Sequence, residues 1–319
     1  MKVKHTNLID IELPDKGAFT IETEFNFPKL HTLTIASGRR GGGKSVAIAN
    51  FVKKCKKKHY FDRVYLITPT YQSNKEIWNI ADIQEEDIIE PTITSIYELI
   101  DKVEQEKQEW DDFLEKKKSY LKFMKDKKNL SRVTDDDIII YYDMLFLDGK
   151  KPEWKYAKEQ APRLAVIIDD ALGTPLLARS TAGLLNLCIK HRHIADGLGI
   201  SIFMLVQSYC AQGGLNRAIR ENTTNLLLFK VNDENQIKKI KEECDLPVTE
   251  EEFTELCNFA HNIPFNFLFI DFNPKCKRLI FRSGWNDYLI PKSLENIKCE
   301  CERCTNKMTK KIKEIKINI

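Results

Sequence analysis

The chain has 319 residues, 42% of them apolar, which is enough for one large α/β domain with additions or for two domains. Fifty basic and 47 acidic residues leave a net charge of +3, which excludes a uniformly basic surface and restricts any nucleic-acid contact to local clusters. No run approaches the length of a membrane span, and Met1 to Asp15 lacks a signal-peptide core, so a soluble chain in a reducing compartment is expected.

Residues 1–29 alternate polar and apolar side chains (Ile9, Ile11, Leu13, then Phe19, Ile21, Phe25, Phe27) around a turn signal at Pro14 to Gly17. This predicts an N-terminal β-hairpin. His31 to Ala36 then reads as a short buried strand, and Ser45 to His59 has helical apolar spacing at Val46, Ala49, Phe51, Val52 and Cys55.

Between them lies Gly38 to Ser45, GRRGGGKS, a full match to G-x-x-x-x-G-K-[ST] in the strand–loop–helix context that the motif requires. Glycines let such a loop wrap so that backbone N–H groups face phosphate oxygens, and the helix N-terminus adds partial positive charge. The candidate nucleotide-binding residues are Gly38, Arg39, Arg40, Gly41, Gly42, Gly43, Lys44, Ser45 and Val46. Lys44 would reach the β- and γ-phosphates of ATP, and the Ser45 hydroxyl would serve Mg2+. Lys53 to Lys58 would add charge toward an acidic partner, although basic residues also favour a helix C-terminus.

Arg63 to Thr68 predicts a second parallel strand, with Pro69 to Asn74 as a loop at its carboxyl edge. Ligands bind at such edges, so Thr68 and Thr70 are either neighbours of the nucleotide or nucleic acid, or ordinary turn residues. Residues 95–160 are charged, with a long helical pattern from Tyr97 to Met124, and Asp135 to Asp137 precede a second apolar helix. A helical insertion is expected there: an arm, a partner surface or a DNA-facing lever, or else a solvated lysine-rich face.

Leu164 to Ile168 is a continuous apolar run that ends in Asp169 and Asp170, the pattern of a parallel strand buried on both faces. Beside the glycine loop, Asp169 is the candidate magnesium acid and Asp170 the candidate general base. Thr181 to Asp196 is amphipathic and carries His191-Arg192-His193. Gly199 to Val206 predicts another strand, followed by Gln207, which either touches the γ-phosphate and lytic water or is a satisfied loop glutamine. Arg217 and Arg220 are three apart and would share one helix face, as surface charge or as a donor to a neighbouring subunit's phosphates. Leu226 to Val231 predicts a fifth core strand, Ile237 to Cys257 a helical stretch, and Phe265 to Phe272 with Lys277 to Phe281 an edge hairpin around Asn273-Pro274.

Nine scattered cysteines without a secretion signal argue for reduced thiols. Cys299, Cys301 and Cys304 form a C-x-C-x-x-C cluster, with Cys276 available as a fourth zinc ligand. The spacing is not that of a standard finger, so a solvated, lysine- and cysteine-rich tail over 291–319 is the alternative.

The order of glycine loop, acid pair, strand-end glutamine and arginine resembles the FtsK/HerA superfamily of P-loop ATPases. More narrowly it resembles the poxvirus-type genome-packaging ATPases of large double-stranded DNA viruses. The match rests on GRRGGGKS (Gly38 to Ser45), VIIDD (Val166 to Asp170), HRH (His191 to His193), LVQSY (Leu205 to Tyr209) and IRENTTNLLLFK (Ile219 to Lys230), and spans roughly residues 30–282.

The resemblance implies an α/β, RecA/ASCE-like P-loop NTPase domain over 30–290, with a mostly parallel sheet flanked by helices. It implies that Lys44 binds phosphates, that Ser45 and Asp169 bind magnesium, and that Gln207 is the sensor glutamine. Arg220 would be the arginine supplied in trans, with Arg217 second. Asp170 departs from the pattern, standing where a glutamate is usual. A homo-oligomeric ring (hexamer or pentamer), double-stranded DNA, capsid or portal partners, and residence in the virion and the host-cytoplasmic viral factory are also implied. A helicase, a conjugation-type pump, or a nucleotide-regulated scaffold with negligible turnover are the alternatives. The sequence offers no convincing aromatic stacking residues for a helicase.

Overall fold

The computed structural model describes residues 21–128, 133–171, 173–178, 181–209, 215–231, 234–299 and 301. In chain order, β1 (Leu33–Ser37) leads into α1 (Lys44–Lys57), and β2 (Arg63–Ile67) into α2 (Tyr71–Ile80). A two-residue β3 (Ile88–Ile89) precedes the long α3 (Ser95–Asp126) and α4 (Asp135–Asp143). The acid-tipped β4 (Leu164–Asp169) is followed by α5 (Pro175–Ala178), α6 (Thr181–Lys190) and α7 (Ile194–Gly197). Next come β5 (Ser201–Val206), α8 (Arg217–Glu221), β6 (Asn225–Phe229), α9 (Glu234–Glu243) and α10 (Glu250–His261). The strands β7 (Phe267–Asp271), β8 (Phe281–Ser283) and β9 (Asp287–Leu289) and a short α11 (Lys292–Glu295) complete the described elements.

The nine strands among the described residues join one sheet in the order β3-β2-β4-β5-β1-β6-β7-β8-β9. From β3 to β6 every pairing is parallel, and β7, β8 and β9 extend the sheet antiparallel. The fold is that of an α/β P-loop NTPase. β1, β4, β5 and β6 are buried along their whole length, which explains the continuous apolar runs of β4, β5 and β6.

Because strand side chains alternate, each strand feeds two cores. Ile35, Ile67, Val166 and Met204 pack on the face covered by α3, α6 and α10, whereas Ala36, Leu66, Ile167 and Phe203 pack on the face covered by α1. The acid-bearing β4 is separated from the loop-bearing β1 by β5. That order sets the width of the site described below.

Several expectations need correction. The loop after β2 is short, because α2 already begins at Tyr71. Asp135 to Asp137 do not precede a helix but form the first turn of α4, where Thr134 and Asp137 make a capping box and the acids favour the positive helix end. The amphipathic stretch from Thr181 breaks after Lys190, and the one from Ile237 splits into α9 and α10 around Pro247. The edge hairpin gains a third strand, β9. Most of the N-terminal hairpin, residues 1–20, lies outside the described residues; the remainder makes an isolated bridge between Ile21 and Leu30.

The insertion is helical, as its charge pattern predicts, and has its own aromatic cluster of Phe123, Tyr141 and Phe146. It is fastened to the sheet through Glu106 on α3, only 1% exposed. One Glu106 oxygen accepts from Arg63 at 2.9 Å, Lys155 at 2.7 Å and Tyr156 at 2.9 Å. Among the described residues, no helix is long and apolar enough to cross a membrane.

Candidate active site

The parallel strands end in register. Ser37 lies beside Val206, and Leu205 beside Asp169, so three consecutive strand ends share one carboxyl edge. The glycine loop leaves β1 there. Gly38 N donates to the Val206 carbonyl at 3.1 Å, and a Cβ on Gly38 would meet the Phe229 Cβ at 2.5 Å, so β6 leaves no space for a side chain. The loop closes on Gly43, which caps α1 with φ 93°, a left-handed conformation natural to glycine. The N-terminus of α1 therefore points its unpaired amides into the loop.

Lys44 bends back over this loop and donates to the carbonyls of Gly38 at 2.6 Å and Arg39 at 3.0 Å. Burial lowers its pKa, while Asp169 and Asp170 oppose that shift. Ser45 Oγ donates to Asp169 Oδ2 at 3.1 Å across the gap spanned by β5. Burial pushes Asp169 up to about 6; the Ser45 hydrogen bond counters this, the neighbouring Asp170 adds to it, and Lys44 counters it further.

A hydroxyl and a desolvated carboxylate facing one another form an oxygen donor pair suited to a hard divalent cation. Such a cation would relieve the cost of ionising Asp169. The donor set thus fits Mg2+.

Asp170 follows with φ 52°, a conformation that Asp tolerates better than most side chains. Gln207, the first residue after β5, donates to Asp170 Oδ1 at 3.3 Å. Lys44, Ser45, Asp169, Asp170 and Gln207 are therefore brought to one edge. Arg39, Arg40 and Val46 flank it; both arginines are exposed and Val46 is 44% exposed. Thr68 and Thr70 are engaged with each other and with Asn74 in a local turn.

The two arginines part company. Arg220 Nε and Nη2 form a fork on the Glu243 carboxylate at 2.8 and 3.0 Å, Nη1 donates to the Leu215 carbonyl, and the side chain is 13% exposed. Arg217 is 77% exposed and meets only Glu221, one turn along α8, among its described ion pairs. Spacing places them on one helix, but the contact with α9 separates their environments.

One lining feature had no local sequence signal. Beside the loop, Arg39, Gly41 and Gly42 face Lys230, Ile263 and Phe265 across a cavity of about 310 Å³. Phe265 is 73% exposed with φ 60°, and its Cβ would lie 3.2 Å from a Cβ on Gly43. An exposed aromatic ring against a phosphate loop offers a base-stacking surface. The connection between α10 and β7 is remote from the motif in sequence, so only the fold reveals it.

No family model and no curated protein matches the sequence. Similar solved structures include the genome packaging NTPase B204 from Sulfolobus turreted icosahedral virus 2 in complex with ATP-gammaS. It shares 13% identity at a TM-score of 0.37, over 76% of this chain and 92% of that one. The pCW3 conjugation coupling protein TcpA shares 16% identity at a TM-score of 0.41, over 78% of this chain and 59% of that one. EssC (ATPases 2 and 3) from Geobacillus thermodenitrificans shares 13% identity at a TM-score of 0.42, over 76% and 38%.

Proposed function

We propose that the chain is a magnesium-dependent ATPase that translocates double-stranded DNA, and that its task is to package a viral genome. The observation that carries the hydrolase reading is the convergence of Lys44, Ser45, Asp169, Asp170 and Gln207 at one carboxyl edge. A bound triphosphate would lie along the loop amides, and Lys44 would exchange the carbonyls of Gly38 and Arg39 for phosphate oxygens. Ser45 and Asp169 would hold Mg2+, which supplies charge neutralisation when bound. Asp170 would take the proton of the attacking water, and Gln207 would orient that water while fixing the Asp170 carboxylate. Phe265 and Ile263 would contact the base.

The DNA and packaging parts of the proposal rest on the motif resemblance carried by Gly38 to Ser45, Val166 to Asp170 and Ile219 to Lys230. In a ring of identical subunits, an arginine from one subunit would complete the next subunit's site. The exposed Arg217 suits that role better than Arg220, which is already occupied within its own chain. Contacts to DNA would run mainly to phosphates, making binding salt-sensitive and largely sequence-independent.

ATP hydrolysis measured with and without double-stranded DNA, alongside light-scattering mass, tests the proposal. Stimulation by double-stranded DNA with a ring-sized particle supports it. Stimulation by single-stranded DNA alone would favour a helicase. Nucleotide binding with no turnover under any condition would favour a scaffold.

A further inference from the structure

Cys276 sits in the connection between β7 and β8, while Cys299 and Cys301 follow α11, more than twenty residues later. The fold nevertheless gathers their three sulfurs within 4.8 Å of one another. Cys276 is buried and the other two are partly buried, in a small cluster with Leu279, Tyr288 and Phe25. The Sγ atoms of Cys276 and Cys299 lie 3.6 Å apart. Zinc–sulfur bonds of about 2.3 Å at tetrahedral angles require sulfur–sulfur edges of about 3.8 Å. A disulfide requires about 2.05 Å. The observed separation therefore suits a shared ion better than a bond. Lys275, Lys277 and Lys298 neighbour these thiols in sequence.

We propose that Cys276, Cys299 and Cys301 form a structural zinc site that clasps the segment after α11 onto the antiparallel edge of the sheet. Cys304, expected from the C-x-C-x-x-C run as a further ligand, lies outside the described residues. The clasp also bears on the chain's beginning. Lys275, next to Cys276, donates to the Thr23 carbonyl at 2.6 Å and the Glu24 carbonyl at 2.9 Å. One loop thus ties together the first described segment, the sheet edge and the tail. Its position is structural, because the β7–β8 connection leaves from Asp271, which pairs with Asn225 at the amino end of β6, away from the glycine loop.

The test is the metal content of the full chain, purified with reductant and measured by plasma mass spectrometry. About one zinc per chain is expected. Cys276→Ser and Cys299→Ala should lose it, and Cys244→Ser should keep it. Lys44→Ala should also keep it, which separates this proposal from the nucleotide site. If the cysteine variants fail to fold, cobalt added to metal-stripped wild-type protein gives a second readout, with thiolate-to-cobalt absorption and tetrahedral ligand-field bands expected. Wild-type protein with no zinc and no such cobalt spectrum overturns the proposal. So does a thiol titration under denaturing, non-reducing conditions that falls two thiols short, since that would mean a disulfide.

Discussion

Lys44 reaches two main-chain carbonyls that a triphosphate would replace, so its contribution is concentrated in the bound state rather than in folding. Lys44→Ala should lower ATP turnover by about a hundredfold or more while leaving the unfolding midpoint nearly unchanged; undiminished hydrolysis would sink the site assignment. Phe265 tests the other end of the nucleotide. Phe265→Ala should weaken ATP binding by about tenfold without affecting tripolyphosphate, because only the base is stacked. An equal loss for both ligands would place the effect on the loop instead. His31 carries a pH signature. Its ring packs so closely on Gly199 that a Cβ there would lie 2.7 Å from His31 Cδ2. Burial pushes its pKa down to about 4, and His191, Arg192 and Arg163 push the same way against a backbone bond at Leu198. The unfolded chain therefore binds this proton first. Stability from a neutral His31 is complete above about pH 6.5 and is lost as pH falls toward 4, about 2 kcal/mol of it between pH 7 and 5. Asp169, raised to about 6, works in the opposite direction over the same range, so wild-type slopes alone are ambiguous. Urea midpoints at pH 7 and pH 5 should fall more steeply for wild type than for His31→Gln, and equal slopes would refute the assignment.

At the scale of elements, the insertion is held by a charge network rather than by apolar packing alone. Glu106 satisfies Arg63, Lys155 and Tyr156 with one oxygen, and Arg63 also donates to Asp87 at 2.7 Å. Glu106→Ala should cost about 3 kcal/mol, at the low end for a broken buried pair because Arg63 and Lys155 retain water contact. Hydrogen exchange should locate the loosening in α3, and a shift spread evenly over the sheet would contradict this view of the anchor. This network also illustrates what sequence reading can reach. The long helix was legible from its length and charge, β4 and β5 from unbroken apolar runs, and β1 from its short β-branched stretch before the glycine loop, because those signals are local. The two-residue β3 and three-residue β9 carry too few side chains to produce a period. The interposition of β5 between β1 and β4 is a property of the whole sheet that no segment encodes alone, yet it sets the gap across which Ser45 meets Asp169. Phe265 was invisible for the same reason. The two arginines of α8 looked equivalent by spacing and were separated only by Glu243, which arrives from α9.

At the scale of the whole molecule, in the proposed ring that separation favours Arg217 over Arg220 as the arginine acting between subunits. Moving Arg220 to a neighbour's phosphates would break its fork on Glu243 and its bond to the Leu215 carbonyl, contacts that hold the largely buried arginine side chain in place. Arg217 surrenders only an exposed i,i+4 pair, worth a few tenths of a kcal/mol. The consequence is a pair of distinguishable phenotypes. Arg220→Ala should lower the thermal midpoint and reduce turnover in proportion to lost folded protein. Arg217→Ala should fold and bind nucleotide like wild type but fail to hydrolyse it. Mixing Arg217→Ala with Asp170→Asn then tests geometry. Each variant is inactive alone, but a head-to-tail ring places an intact Arg217 from one subunit against an intact Asp170 of the next. At equal ratio about a quarter of interfaces are restored, so turnover should recover toward that fraction of wild type. Were Arg217 to serve its own subunit, no mixing ratio would restore activity, and a cis role or a different donor would have to replace it.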